Sequence, residues 1–354
     1  MSNATINSNQ QVCRVAQWAA GRIGRSAMRA VIDHPTLELV GLHVHSADKV
    51  GRDAGELCGV SPVGVLATSS IDELIQSQPD CVLYMPEGYD IDAMEKLLNA
   101  GINIVTTRSE FFYSQGMAPE LRQRIETACK NGAATLFATG SSPGFSTVVL
   151  PLALAYISRR IDCITIDEFA DIPASTTPEM ITDVMGFGSP PAEEFDQRRV
   201  DHVAIGFSQS LQILASAMNI SIDGFKTEGE FAVAKEAVEL ANGYVIEPGT
   251  VGGQRITVSA MSDQKPVLQF RANWYCTRAL DQEWELGGSG WRVQVEGDTP
   301  VDVNISFPRS GGNYADQMSG LTAHPAVNAV PYVCQAAPGI VTNPELPVIV
   351  PLIG

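Results

Sequence analysis

The chain has 354 residues, 45% of them hydrophobic, enough for two domains of ordinary size. Forty acidic residues against 23 basic ones leave a net charge of −17, which argues against a nucleic-acid partner and against docking on an anionic membrane. No apolar run nears the roughly 18 residues of a membrane span, the seven cysteines form no CxxC pair, and the five histidines show no ligand spacing. Free thiols and no structural metal are therefore expected.

The opening MSNATINSNQQ, residues 1–11, lacks the charged and apolar regions of a signal peptide and reads as a disordered tail on a cytoplasmic protein. Strand and helix then alternate. CRVAQW reads as a strand. RIGRSAMRAVIDH has Ile23, Ala27, Ala30 and Val31 at helical spacing, and LELVGLHV is a second strand. SIDELIQS is a short helix opened by the capping box of Ser70 and Glu73. CVLYM is a buried strand, DIDAMEKLLNAG a helix closed by Gly101, and NIVTT a strand. APELRQRIETACKNG is a helix with Pro119 near its start and Gly132 past its end, and ATLFAT is a strand. This alternation predicts an α/β fold: a parallel sheet with helices on both faces, a Rossmann domain over residues 12–145.

The pattern changes after Gly144. FSTVVLPLALAYISRR reads as a helix, DCITIDEFAD as a strand, and helical segments follow around 178–218. From about 222 to 308 alternating runs dominate, which predicts a second, α+β domain over 146–309 with a mixed or antiparallel sheet. That domain is expected to carry the substrate and to pair with a second subunit in a homodimer, since long exposed edges otherwise aggregate. LTAHPAVNAVPYVCQAAPGI starts as a helix and runs into a proline-rich tail, and residues 310–354 are expected to pack back on the Rossmann domain.

Between the first strand and helix lies Ala19-Ala20-Gly21-Arg22-Ile23-Gly24, a dinucleotide-binding turn whose first glycine is alanine. The pyrophosphate would sit on the free N–H groups of the following helix. An NAD site usually places an acidic residue at the end of the second strand. Here that strand ends in His45 and Ser46 with Lys49 behind, and Asp48 falls two residues late. Between Arg14 and Arg52 six basic residues face three acidic ones. That local excess predicts NADP as the preferred cofactor, with NAD possible. Met85 and Pro86, past the third main strand, are further cofactor candidates.

QWAAGRIGRSAMRAVIDHPTLELVGLHVHSADKVGRDAGEL resembles the dihydrodipicolinate-reductase-like family, and within it 2,4-diaminopentanoate dehydrogenase and the native amine dehydrogenases. The resemblance continues through VTTRSEFFY, TGSSPGF, DVMGFGSP, GTVGGQR and HPAVNAVPYVCQAAPGI, nearly the whole chain. Dihydrodipicolinate reductases carry a histidine pair, a lysine and a PSGT segment in the second domain. The corresponding FADIPASTTPEM has none of them, so the lysine-pathway reaction is not expected.

The resemblance implies a catalytic glutamate in a Glu-x-x-Tyr pattern, matched here by Glu110-Phe111-Phe112-Tyr113. A carboxylate just past a strand end, followed by two phenylalanines, suits acid–base work and stabilisation of a cation. The implied reaction is reductive amination of a small ketone or aldehyde with ammonia, and its reverse. Thr107, Ser109, Gly140 and Asn328 complete the cofactor candidates. Phe145, Phe169, Met185, Phe187 and Trp274 are the candidate lining of an apolar substrate pocket. No basic residue of the second domain stands out as a carboxylate clamp, which favours a neutral substrate. Two other readings stay open: a carbonyl or imine reductase with Tyr113 or water as proton donor, and a non-catalytic NADP sensor.

Overall fold

The computed structural model describes residues 12–174, 179–192, 195–240, 243–308 and 314–351. The predicted tail of residues 1–11 lies outside them. The chain forms two units, one of Met1–Ser141 with Asp316–Gly354, the other of Ser142–Ala315. These divisions fall four residues before and six after the boundaries read from the sequence.

The first unit starts with β1 (Cys13–Trp18), α1 (Arg22–Ile32) and β2 (Leu37–His43). A short helix, α2 (Ala54–Cys58), and a two-residue strand, β3 (Ala67–Thr68), follow. Then come α3 (Ile71–Gln76), β4 (Cys81–Tyr84), α4 (Ile91–Asn99), β5 (Asn103–Thr106), α5 (Pro119–Gly132) and β6 (Thr135–Ala138). Ser70 caps α3, accepting from the Glu73 N–H at 3.3 Å. Gly132 is the last residue of α5, not the residue past it. Ala133 adopts the left-handed cap at φ +52°, and a Cβ on Gly132 would stand 1.8 Å from the Leu98 carbonyl oxygen. That glycine is there for the close approach of α4 and α5, not for the turn.

The second unit holds α6 (Leu150–Ala155), β7 (Ile161–Asp171) and α7 (Gln197–Ala217). Its further strands are β8 (Gly224–Val233), β9 (Val238–Glu239), β10 (Val245–Ile246), β11 (Val251–Ser262), β12 (Lys265–Tyr275), β13 (Gly290–Gly297) and β14 (Val301–Ser306). The helix expected over 145–160 is present but ends early, at Ala155, and only Leu150–Ala155 of it is regular α-helix, while Ser142, Pro143 and Gly144 just before it have non-helical dihedrals. Six strands pair in the order β14-β13-β7-β12-β11-β8. β7 and β12 run parallel and the other pairs antiparallel, so the sheet is mixed. One face carries Ile164, Ile166, Val258, Leu268, Phe270 and Val293 against Phe207, Leu211 and Leu214 of α7. Phe207 stacks on Phe270 at 3.6 Å between ring centroids.

The chain then returns to the first unit with α8 (Tyr314–Val333) and β15 (Gly339–Val341), a strand where the sequence suggested only a tail. The parallel sheet reads β3-β2-β1-β4-β5-β6-β15, the doubly wound order with its reversal between β1 and β4. Its core joins Val15, Met28, Val31, Leu42 and Leu83 to Ala323, Ala326, Val327, Val330 and Val333 of α8. Among the described residues no helix is long and apolar enough to cross a membrane.

Candidate active site

In an open α/β sheet a ligand binds beyond the carboxyl ends of the strands where the order reverses. The first unit has a cleft of about 480 Å³ there. It is lined by Ala19, Ala20 and Gly21 after β1, by Val44, His45, Ser46 and Lys49 after β2, and by Tyr84–Asp90 at the end of β4. Gly21 opens α1 without a side-chain cap, and no acidic residue stands in the first helical turn. The positive helix end is thus left for an anion. A Cβ on Gly21 would meet nothing within 4 Å, whereas one on Gly24 would stand 2.1 Å from the Ala19 carbonyl oxygen. Gly21 therefore leaves the cradle open, and Gly24 lets the helix pack on the strand. Ala19, where the first glycine would be, keeps the glycine-like backbone at φ +77°. These features fit a dinucleotide.

A second cleft of about 370 Å³ shares Ala20, Gly21 and Lys49 with the first and adds Arg25, Arg52, Glu56 and Leu57. Three cations meet one carboxylate there. Trp18 organises the neighbouring strand end. Its ring stacks on His43 at 3.7 Å, and its indole N–H donates to His45 Nε2 at 3.2 Å. Burial lowers the pKa of His43, as does the nearby His45, so His43 is neutral near pH 7. Asp53 caps α2 and accepts from the N–H groups of Gly55, Val63 and Gly64 at 2.8, 3.0 and 2.7 Å. It thereby holds the loop next to Arg52.

Of the other cofactor candidates, Met85 and Pro86 line the first cleft. Arg22 and Ile23 lie in the first turn of α1, outside the lining of both clefts. Thr107 and Ser109 are half-buried just past β5, and Gly140 is buried past β6, also outside both linings. Asn328 is half-buried on α8.

Glu110 sits in a single helical turn, Ser109–Phe111, directly after β5. Phe111 and Phe112 behind it are buried. One carboxylate oxygen pairs with the Arg108 guanidinium, which also donates to the Glu87 carbonyl. The other, Oε2, is buried and has no hydrogen-bond partner. The surroundings are less apolar than the sequence suggested, because Arg108 shares the site. Sequence reasoning missed Arg108: pairing across two residues of one tight turn leaves no periodic trace. Buried acceptors without partners are rare and mark places where water or a ligand completes the bonding. The Tyr113 hydroxyl donates to Gln115 Oε1 at 3.0 Å.

The substrate candidates scatter over the second unit. Phe187 is fully buried in a small core with Ile181 and Ile246. Phe169 is buried on the sheet face opposite Ile166, with Gly287 against its ring. Met185 packs beside Phe187, and its carbonyl accepts from Gln254 at 2.6 Å. Phe145 is exposed, 5.9 Å from the Trp291 ring, and Trp274 is half-buried at the end of the helix-covered face. These two stay near solvent, whereas Phe169 and Phe187 serve as core. Among the described residues no group of three His, Cys, Asp or Glu side chains could hold a metal.

The family model described as the 2,4-diaminopentanoate dehydrogenase C-terminal domain matches residues 146–354, and that of the dihydrodipicolinate reductase N-terminus matches 18–138. An amine dehydrogenase of Streptomyces virginiae is 28% identical over 342 residues, 93% of this chain and 95% of that protein. The 4-hydroxy-tetrahydrodipicolinate reductase of Methylococcus capsulatus is 30% identical over 154 residues, 43% of this chain and 52% of that one. The solved structure of an amine dehydrogenase from Mycobacterium smegmatis superposes with a TM-score of 0.72 at 22% identity, covering 96% of this chain and 97% of that one. At such identity the likeness speaks for the fold.

Proposed function

Because this chain belongs to the family of the 2,4-diaminopentanoate dehydrogenase C-terminal domain, an oxidoreductase family, we propose that it is an NADP-dependent amine dehydrogenase. It interconverts a small apolar ketone or aldehyde plus ammonia with the corresponding primary amine. The observation that carries this reading is Glu110, with one oxygen held by Arg108 and the other buried and open.

The chemistry asks for such a group. Ammonia adds to the carbonyl carbon, a proton passes from nitrogen to oxygen, and the resulting hydroxyl takes up one further proton, supplied by ammonium, and leaves as water, so that an iminium cation remains. Glu110 Oε2 carries the first proton from nitrogen to oxygen, then takes the second from ammonium and delivers it to the departing hydroxyl, and its regained negative charge favours the cation. Arg108 fixes the direction of the carboxylate so that the open oxygen faces one way. A bound NADPH would supply the hydride that reduces the iminium carbon. Ala20, Gly21 and the first turn of α1 would hold the pyrophosphate, and Arg25, Lys49 and Arg52 the 2′-phosphate.

The test is NADPH oxidation with a panel of small ketones and aldehydes at alkaline pH, with and without ammonium. Oxidation that requires ammonium is expected. Equal rates without it would mean a carbonyl reductase, and no oxidation with any substrate would overturn the reading.

A further inference from the structure

Two adjacent carboxylates of β7 are treated differently. Asp167 is buried and receives Arg271 in a two-pronged pair at 2.7 and 2.5 Å, with Asn273 adding a third bond at 3.0 Å. Glu168, one residue on, points to the other face of the sheet and has no cationic partner among the described residues. It shares the parity of Ile164 and Ile166, which are buried under α7. A carboxylate therefore interrupts an apolar row, which Ala170 continues.

Its neighbours are aromatic. Trp291 of β13 stands directly opposite Glu168, Ala272 of β12 lies beside it, and Trp274 follows two residues along β12 on the same face. The indole N–H groups of Trp274 and Trp291 lie near the carboxylate and favour its charged form. The Ser142 hydroxyl lies beside it without closing a well-formed hydrogen bond and is itself buried. Burial outweighs these donors and raises the pKa of Glu168 above the usual carboxylate range. Phe145 and Phe307 pack on the Trp291 ring at 5.9 and 4.8 Å, the second edge-on. Past Phe307 a cleft of about 240 Å³ opens, lined by Asp171, Ser289 and Ser306 among others.

We propose that Glu168, ringed by Trp274, Trp291 and Ser142, is a subsite for a primary ammonium group of the substrate. A carboxylate withdrawn from water and lacking a counter-ion repels anions and gains most from a cation that brings its own hydrogen-bond donors. The residue as a whole is half-buried. The idea rests on the amine dehydrogenase reading and deepens it: the nitrogen is either the reacting one or a second amino group on the substrate.

The experiment follows tryptophan fluorescence of the whole protein during titration with butylamine, 1,4-diaminobutane, ammonium chloride and the neutral 2-butanone, at constant ionic strength. A saturable change with at least one amine is expected. Glu168→Gln should weaken that amine about tenfold to a hundredfold, the share of a charge-assisted hydrogen bond, and leave 2-butanone unchanged. Glu168→Asp, which keeps the charge, should retain part of the affinity if the glutamine variant proves poorly folded by circular dichroism. Equal loss for both amines assigns the reacting nitrogen, loss for the diamine alone a second amino group, and loss for ammonium chloride alone free ammonium. Amine binding independent of Glu168, loss for 2-butanone as well, or no saturable change overturns the subsite. The two ideas fail separately. Glu168-dependent binding without turnover sinks only the reaction, and turnover with KM values untouched by Glu168→Gln sinks only the subsite.

Discussion

Glu110 and Ala19 are each visible in the sequence, yet what makes them informative is not. Glu110 was legible as a carboxylate past a strand end. That one oxygen is tied to Arg108 and the other left bare depends on how a single turn folds. Glu110→Gln keeps the shape and removes the base, so kcat for amine oxidation should fall about 10²- to 10⁴-fold. The Kd for NADPH, measured by fluorescence, should hold; a kcat within a few-fold of the parent would remove Glu110 from the chemistry. Ala19 carries a left-handed backbone that costs a non-glycine residue roughly 1–2 kcal/mol, partly offset by the lower chain entropy of alanine when unfolded. Ala19→Gly should therefore stabilise by up to about 1 kcal/mol in urea unfolding; a loss of stability would mean the turn is not strained. Glu168 also left a signal, since it breaks the apolar parity set by Ile164 and Ile166. A charged residue on the buried side of a strand is worth flagging from sequence alone.

Most of the long elements were legible because hydrophobic period and caps agree. α5 begins at Pro119, as its chemistry dictates, and even the six-residue α3 was announced by its cap Ser70. The shortest elements were not. α2 has five residues and β3 two, below the length at which periodicity speaks. Yet α2 shapes the basic cleft, through Asp53. Burial alone would raise the pKa of this carboxyl, but backbone N–H groups of Val63, Gly64, Gly55 and Glu56 hold it below the ordinary value. The sign follows. A lowered folded-state pKa means that the ionised form stabilises the fold above the unfolded value of about 3.9. That stability is lost as pH falls through the lower folded value. Asp53→Asn should thus lower Tm at neutral pH, and the gap from the parent should close as pH drops below about 4. A gap that stays constant down to acid pH would show that charge is not the cause. Arg52 immediately precedes Asp53, and Arg52→Ala should weaken NADP about tenfold or more while leaving NAD nearly unchanged in equilibrium titration. Equal loss for both cofactors would detach the basic cleft from the 2′-phosphate.

The division of the chain into two units was also legible, from the switch of α/β alternation to long alternating strands. What sequence could not show is how much the C-terminal return contributes. α8 supplies Val327, Val330 and Val333, each nearly or fully buried, together with Ala323, Ala326 and Ala329, to the core under the parallel sheet. Three buried valines at about 1.5 kcal/mol or more each come to the order of 5 kcal/mol, comparable with the whole stability of many domains. β15 further pairs with β6 and covers what would be an open sheet edge. The first unit is thus closed by residues 175 positions away in the chain, and the second is in effect an insertion. The two ends of the insertion site lie close, since the Ser141 and Thr322 hydroxyls are 2.9 Å apart. A fragment of residues 12–141 alone should lack a cooperative thermal transition. Residues 12–141 joined to 316–351 by a short glycine–serine linker should fold cooperatively and bind NADPH, because core, sheet edge and both clefts are then complete. Circular dichroism melting and a fluorescence titration check both. Cooperative melting of 12–141 alone would show that α8 lies on a finished core rather than completing it.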